Sequence, residues 1–180
     1  LVEYDGSDSF VSVLDESNGF TILKNNQDGT FGSSNQTTVA ADHNAIVQGD
    51  FDNDGDEDII IGRDTPVATF YNHTSYGSFV AGNDYPLAGT GIPKGGSALF
   101  IDADSNLDFG IAVNDTLSLY LGEGDGTFTS HDNLSLCNGD NINSLDSGDV
   151  DQDGDDDIII GCLDDPDITY LENNGGSFSS

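Results

Sequence analysis

The sequence predicts an all-β protein built from four repeats of about 49 residues, and three observations carry that prediction. Short, dense, β-branched apolar runs are separated by Gly, Asn, Asp and Ser, the residues of turns. A turn followed by Phe recurs at a nearly constant interval. An Asp-rich loop also occurs twice, each time directly before Ile-Ile-Ile-Gly. No segment shows the 3.6-residue apolar period of a helix, and no apolar run approaches the ~18 residues that a membrane helix needs.

Composition narrows the function. The 180 residues include 34 acidic side chains against three basic ones (Lys24, Arg63 and Lys94), for a formal charge of -31. That charge excludes nucleic acid as a partner, because binding phosphate requires Lys and Arg to displace counterions. It also disfavours anionic membrane surfaces, and membrane insertion is not expected. Cations remain attractive partners. High charge with modest hydrophobicity also suits a disordered chain, but runs such as IIIG, FGIAV and LSLYL are core material. The chain starts at Leu1 without a visible leader sequence, which fits a processed or excised fragment.

The repeat fixes the expected organisation. Phe31, Phe79, Phe128 and Phe178 follow the turns NNQDGTF, SYGSF, GEGDGTF and NNGGSF, at intervals of 48, 49 and 50 residues. A run expected to be buried precedes each Phe by about twenty residues: 11–14, 59–61, 109–113 and 158–160. The units are drawn at roughly 1–31, 32–79, 80–128 and 129–178 within one domain, 1–180. In the second unit the expected strands are 45–49, 58–62, 67–71 and 78–81, the last two joined as a hairpin. Four short strands in just under fifty residues match one β-propeller blade. The first strand of each unit, apolar and flanked by Gly, suits a crowded position near a central axis.

GDFDNDGDEDIIIG and GDVDQDGDDDIIIG set concentrated negative charge against a segment that must be buried. Aligned as D-x-D-x-D-G-x-x-D, Asp50, Asp52, Asp54 and Asp58 fill positions one, three, five and nine, with Gly55 at six. Asp149, Asp151, Asp153 and Asp157 match them, with Gly154 at six. Alternate carboxylates on a tightly turned loop converge on one point, and oxygen-only ligand sets suit calcium, which takes six to eight. Asp56 and Asp155, at position seven, are expected to offer backbone carbonyls. Unneutralised, neighbouring carboxylates repel by ~1 kcal/mol at ~4 Å even in water. An EF-hand would need Glu at position twelve, where Ile61 and Ile160 stand, so the ions are expected between strands.

These loops, the following apolar triplet with Gly, and the N-x-G-x-F-like turns at a fifty-residue period resemble the FG-GAP and VCBS repeats. The resemblance implies the calcium-binding β-propellers of integrin α-chains and of many secreted bacterial proteins. Such propellers usually have seven blades, so four units imply either further blades in a longer parent chain or assembly with other copies. The third unit departs from the pattern, with Phe100 at position one and Ser105 in place of Gly. Asp102, Asp104, Asn106 and Asp108 are assigned a third, weaker site. In the first unit only EYDGSDS, residues 3–9, remains, and no full site is expected there.

In blade geometry Cys137 and Cys162 fall one blade apart at the end opposite the calcium loops, as a disulfide or as two buried thiols. His43, His73 and His131 sit at different phases of the repeat and read as surface or turn residues. The sequons at Asn35, Asn72, Asn114 and Asn133 are about as many as chance provides. No nucleophile elbow, phosphate loop or Cys/His metal cluster occurs in the sequence. The expected function is a non-enzymatic, extracellular, calcium-binding structural or adhesion module. Its partners would be calcium, other copies through blade edges, and a protein or glycan ligand. The alternative is the propeller portion of a secreted enzyme acting on polysaccharides or phosphodiesters, for which three scattered cations are poor equipment.

Overall fold

The structure, a computed structural model, describes residues 10–15, 19–26, 28–38, 43–75, 78–164 and 168–179. Their strands form four antiparallel sheets, each a simple meander in chain order. The first holds β1 (Phe10–Asp15), β2 (Gly19–Asn25) and β3 (Phe31–Thr38). The second holds β4 (His43–Gly49), β5 (Asp58–Arg63), β6 (Val67–Ser75) and β7 (Ser78–Pro86). The third holds β8 (Pro93–Leu99), β9 (Asp108–Val113), β10 (Thr116–Gly122) and β11 (Phe128–Ser135). The fourth holds β12 (Ile142–Gly148), β13 (Asp157–Cys162), β14 (Ile168–Asn173) and β15 (Phe178–Ser179). Among the described residues no helix is long and apolar enough to cross a membrane.

Successive sheets pack face to face, which explains why the Ile run of β5 does not alternate between buried and exposed. In β13, by contrast, Ile158 and Ile160 are buried and Ile159, expected to be buried with them, is exposed. In β5, Ile59 and Ile61 face Phe20 and Ile22 of the first sheet, while Ile60 faces the third sheet. With both faces covered, the whole triplet is buried. Between the second and third sheets the core is aromatic. Phe51, Phe70 and Phe128 meet edge to face, and Phe109 stacks on Tyr120 at 5.0 Å with an interplanar angle of 4°.

The first strands gather on one side, β8 lying between β4 and β12, as blades do around an axis. Crowding there is real: a Cβ on Gly96 would lie 2.6 Å from Val47 Cγ2 and 2.8 Å from the Gly110 carbonyl. Not every first strand is apolar, however. In β12 the exposed residues Asn143, Ser144 and Asp146 are all polar, and Ser147 Oγ donates to the Ala98 carbonyl at 2.9 Å. The repeat boundaries shift as well. Phe31, Phe128 and Phe178 open the outermost strands and Phe79 is second in its own, so β3, β7 and β11 each run seven residues past their Phe.

Cys137 and Cys162 form a disulfide, with Cα atoms 5.6 Å apart, joining the turn after β11 to the end of β13. The bond ties the third sheet to the fourth inside a cluster that includes Leu117, Ile142 and Ile160. It closes a 25-residue separation, so the Cys137→Ala/Cys162→Ala variant is expected to lose about 3 kcal/mol. Denaturant melts of that variant against the oxidised parent check this.

Candidate metal centre

Each Asp-rich loop links the first two strands of its sheet, and all three described loops lie at one end of the molecule. Asp50 Oδ1 and Asp52 Oδ1 both accept from the Asp54 amide, at 3.1 and 3.2 Å, and Asp50 Oδ2 accepts from Gly55 N at 3.1 Å. Asp149 Oδ1 and Asp151 Oδ1 share the Asp153 amide in the same way, each at 3.1 Å. Gly55 and Gly154 adopt φ of +94° and +106°, a conformation that costs an ordinary side chain strain.

As a result, one carboxylate oxygen each of Asp50, Asp52 and Asp58 lies within 4.8 Å of the other two. Asp149, Asp151 and Asp153 form a second such group. Later positions of the two loops are tied by backbone amides. Asp54 Oδ1 accepts from Asp56 N at 2.9 Å, Asp153 Oδ1 from Asp155 N at 3.1 Å, and Asp155 Oδ2 from Gly175 N at 2.9 Å. Asp52 also accepts from the Asn72 side-chain amide, which occupies that sequon asparagine.

The third loop gathers no such group among the described residues. Phe100 supplies no carboxylate, and Asp104 is engaged by both the backbone and side-chain N–H of Asn106, at 2.8 Å each. Asn106 Oδ1 in turn accepts from Asn53 of the second sheet's loop at 3.2 Å. Ser105 nevertheless takes φ +71°, holding the turn without Gly. The shortened loop at 3–9 lies outside the described residues.

Position nine does something that spacing alone did not show. Asp58 accepts from Phe51 N and His73 N at 3.2 and 2.8 Å, and Asp108 from Ile101 N and Gly122 N at 2.6 and 2.8 Å. Asp157 accepts from Val150 N, Asn173 N and Tyr170 OH at 3.1, 2.9 and 2.9 Å. All three carboxylates are fully buried. They fasten the loop's second residue to the third strand, and the third loop keeps this fastening although it gathers no acid group. Asp58 therefore has a structural task as well as a place in the metal group, and Asp108 and Asp157 stand outside such groups.

Electrostatics separates these acids. Burial raises Asp58 to about 7 and Asp108 to about 6, while burial and the neighbouring Asp54 raise Asp52. Burial also pushes Asp157 upward, but its three donors outweigh that and leave it below the ordinary value. Asp58 and Asp108 bind protons more tightly folded than unfolded. Their stabilising contribution is thus full below about pH 4 and lost as pH rises through about 6 and 7. Thermal melts in chelator should show stability falling across that window, with added calcium reducing the fall.

Position eight reaches back to the preceding sheet. Leu107 lies over Gly49, where its Cδ2 leaves no room for a Cβ, and Asp156 Oδ2 accepts from Phe100 N at 2.9 Å. Position two is covered by the next sheet: the Phe51 carbonyl accepts from Gly126 N at 3.2 Å, and that of Ile101 from Asn173 Nδ2 at 2.8 Å. A cleft of about 460 Å³ separates the third and fourth loops, lined by Asp102, Ser105, Asp153 and Asp155 among others.

Comparison with known proteins agrees with this architecture. BBS1N, in its complex with ARL6DN soaked with lead, superposes with a TM-score of 0.65 at 11% identity, covering 98% of this chain and 52% of that one. The mercury-soaked form gives 0.58 at 10% identity, covering 86% and 44%. An Agrocybe aegerita lectin specific for non-reducing terminal N-acetylglucosamine gives 0.56 at 15% identity, covering 98% and 52%. The chain thus spans about half the length of these structures, and the likeness is one of fold. No match is found among curated proteins. The model of the FG-GAP-like repeat matches residues 4–61 and 101–160. With two thirds of its length matched, and with strands, loops and sheet packing repeating in register, the chain belongs to the FG-GAP-like repeat family.

Proposed function

We propose that this chain is a calcium-binding, non-enzymatic structural or adhesion module of the extracellular space. The observation that carries the reading is the convergence of Asp50, Asp52 and Asp58, and of Asp149, Asp151 and Asp153, each trio within 4.8 Å. The donor set fits calcium: hard carboxylate oxygens, no nitrogen or sulfur, on loops able to add carbonyl and water ligands. A bound divalent ion relieves the mutual repulsion and burial that raise Asp52.

The Cys137–Cys162 bond supports an oxidising compartment. Calcium loops of modest affinity are filled where the ion is abundant, and extracellular modules work at about 10⁻⁴–10⁻³ M. Three cations among 180 residues support a module rather than an enzyme for anionic polysaccharides or phosphodiesters, since one of the three, Arg63, is paired with Asp84 at 2.7 Å. Its partners in this reading are calcium ions, other copies of the chain, and a protein or glycan ligand. The ARL6DN complex and the N-acetylglucosamine lectin lend general support to a recognition role for this architecture.

Terbium luminescence tests the metal reading directly. Tyr170 OH lies 2.9 Å from Asp157, so terbium in the 149–157 loop should be sensitised by this ring. Emission is expected to fall severalfold in Tyr170→Phe/Asp151→Ala and to be displaced by calcium. Emission that calcium does not displace, or that both substitutions leave unchanged, overturns the reading.

A further inference from the structure

The chain carries both halves of an interface that it already uses once internally. In the second sheet Ile60 pairs with Phe70 and Gly62 with Ala68. Together with Phe51 at loop position two, the apolar members of this set form a face covered by the third sheet. The fourth sheet repeats the register: Ile159 pairs with Tyr170, Gly161 pairs with Ile168, and Val150 stands at position two. Here the face is bare among the described residues, with Val150 54%, Ile159 40%, Ile168 73% and Tyr170 37% exposed.

The element that covers the second sheet is the hairpin Asp125-Gly126-Thr127-Phe128. Its Phe128 ring packs on Phe51 at 5.4 Å and Phe70 at 5.9 Å. Gly126 sits so close that a Cβ would come within 2.7 Å of Phe70. The same four residues occur as Asp28-Gly29-Thr30-Phe31, already folded the same way. Asp28 accepts from Thr30 N at 2.9 Å and Asp125 from Thr127 N at 3.0 Å, and Gly29 and Gly126 have φ of +86° and +76°. Yet nothing lies within 4 Å of a Cβ built on Gly29, and Phe31 is 45% exposed. Leu23, behind this hairpin, is only partly buried where Tyr71, Tyr120 and Leu171 are buried.

We propose that the bare face of the fourth sheet, centred on Ile159, Ile168 and Tyr170, docks the 28–31 hairpin of a second copy of this chain, as the second sheet seats the 125–128 hairpin. This specifies the self-association included above and depends on no calcium ligand. The contact is heterologous, so one copy can hold a partner at each end. It is a face-to-face contact that continues the stacking of sheets rather than pairing their edges. The charge of -31 on each copy opposes it, and about 0.15 M salt shortens that repulsion to a Debye length of about 8 Å.

Sedimentation velocity of the whole chain over a concentration series in that salt is the test. The parent is expected to associate, and Ile168→Asp, which puts a carboxylate into the contact from an exposed position, to weaken association at least about tenfold while leaving the melt unchanged. Mixing Ile168→Asp with Phe31→Asp, each keeping one intact end, should give dimers and nothing larger. A parent that stays monomeric at every concentration overturns the proposal and makes some other segment or partner the cover of this face. Undiminished association of Ile168→Asp overturns it in favour of edge pairing. Calcium binding measured on the same samples reports separately on the metal reading.

Discussion

In chelator, Asp157→Ala is expected to be less stable than the parent by about 3–5 kcal/mol, while Asp151→Ala in the same loop stays within about 0.5 kcal/mol. The first substitution leaves Val150 N, Asn173 N and Tyr170 OH without their acceptor, and Asn173 is fully buried. The second removes an exposed carboxylate whose main partner is the Asp153 amide, which Asp149 also accepts. The pKa of Asp157 is depressed, so its contribution is present above the unfolded carboxylate value and lost as pH falls through the folded one. The destabilisation should therefore shrink in acid, opposite to the trend from Asp58 and Asp108. Denaturant melts at several pH values read both effects. Equal losses for the two variants in chelator would refute the division between fastening and ligand residues.

That division marks where the sequence stopped being legible. The D-x-D-x-D-G-x-x-D spacing treats Asp157 and Asp151 alike, because spacing records only which carboxylates lie on the loop. Which of them turns inward depends on the third strand, at Asn173 in one sheet and at Gly122 in another, fourteen or more residues away. One signal was available: position nine stays Asp in the third loop, Asp108, although position one is Phe100 and position six is Ser105. A residue kept where the ligand set fails serves something other than the ligand.

What was legible came from local chemistry with a period. The β5, β6, β9 and β13 runs, the turns before Phe, and the two strong Asp loops all express short-range preferences repeated at one interval, so strands and sheets follow. Repeat units drawn at Phe do not coincide with sheet ends because Phe marks a packing position at the start of the outer strand, whose later residues are polar and exposed, as in the 129–133 stretch of β11. The first strand of the fourth unit was expected to be apolar, and the polar character of β12 differs for a related reason, since its role is set by Ala98 of a neighbouring strand rather than by its own pattern. The pairing of Cys137 with Cys162 stayed open because the distance between two sheets is not written in spacing.

Saturating calcium is expected to raise stability by about 5 kcal/mol over chelator, the largest change that any simple condition should produce. Binding to the folded state alone contributes about 2.7 kcal/mol per site at a hundredfold excess over the dissociation constant, and there are two acid groups to fill. Two ions carry four positive charges, so the formal charge of -31 becomes -27, and repulsion at the loop end of the sheets falls with it. Asp52→Ala and Asp151→Ala should each remove about half of the calcium-dependent gain, and the double variant nearly all of it. The two losses should add, because the groups lie in the second and fourth sheets and each is held by the amides of its own loop, Asp54 N in one and Asp153 N in the other. The 102–108 loop sets the scale for failure: its Asp104 is engaged by Asn106, and Asp102→Ala there should leave the calcium gain intact. Melts of the parent that coincide in calcium and chelator would mean that the two acid groups bind nothing that matters to the fold. A gain that survives the double variant would place the ion elsewhere.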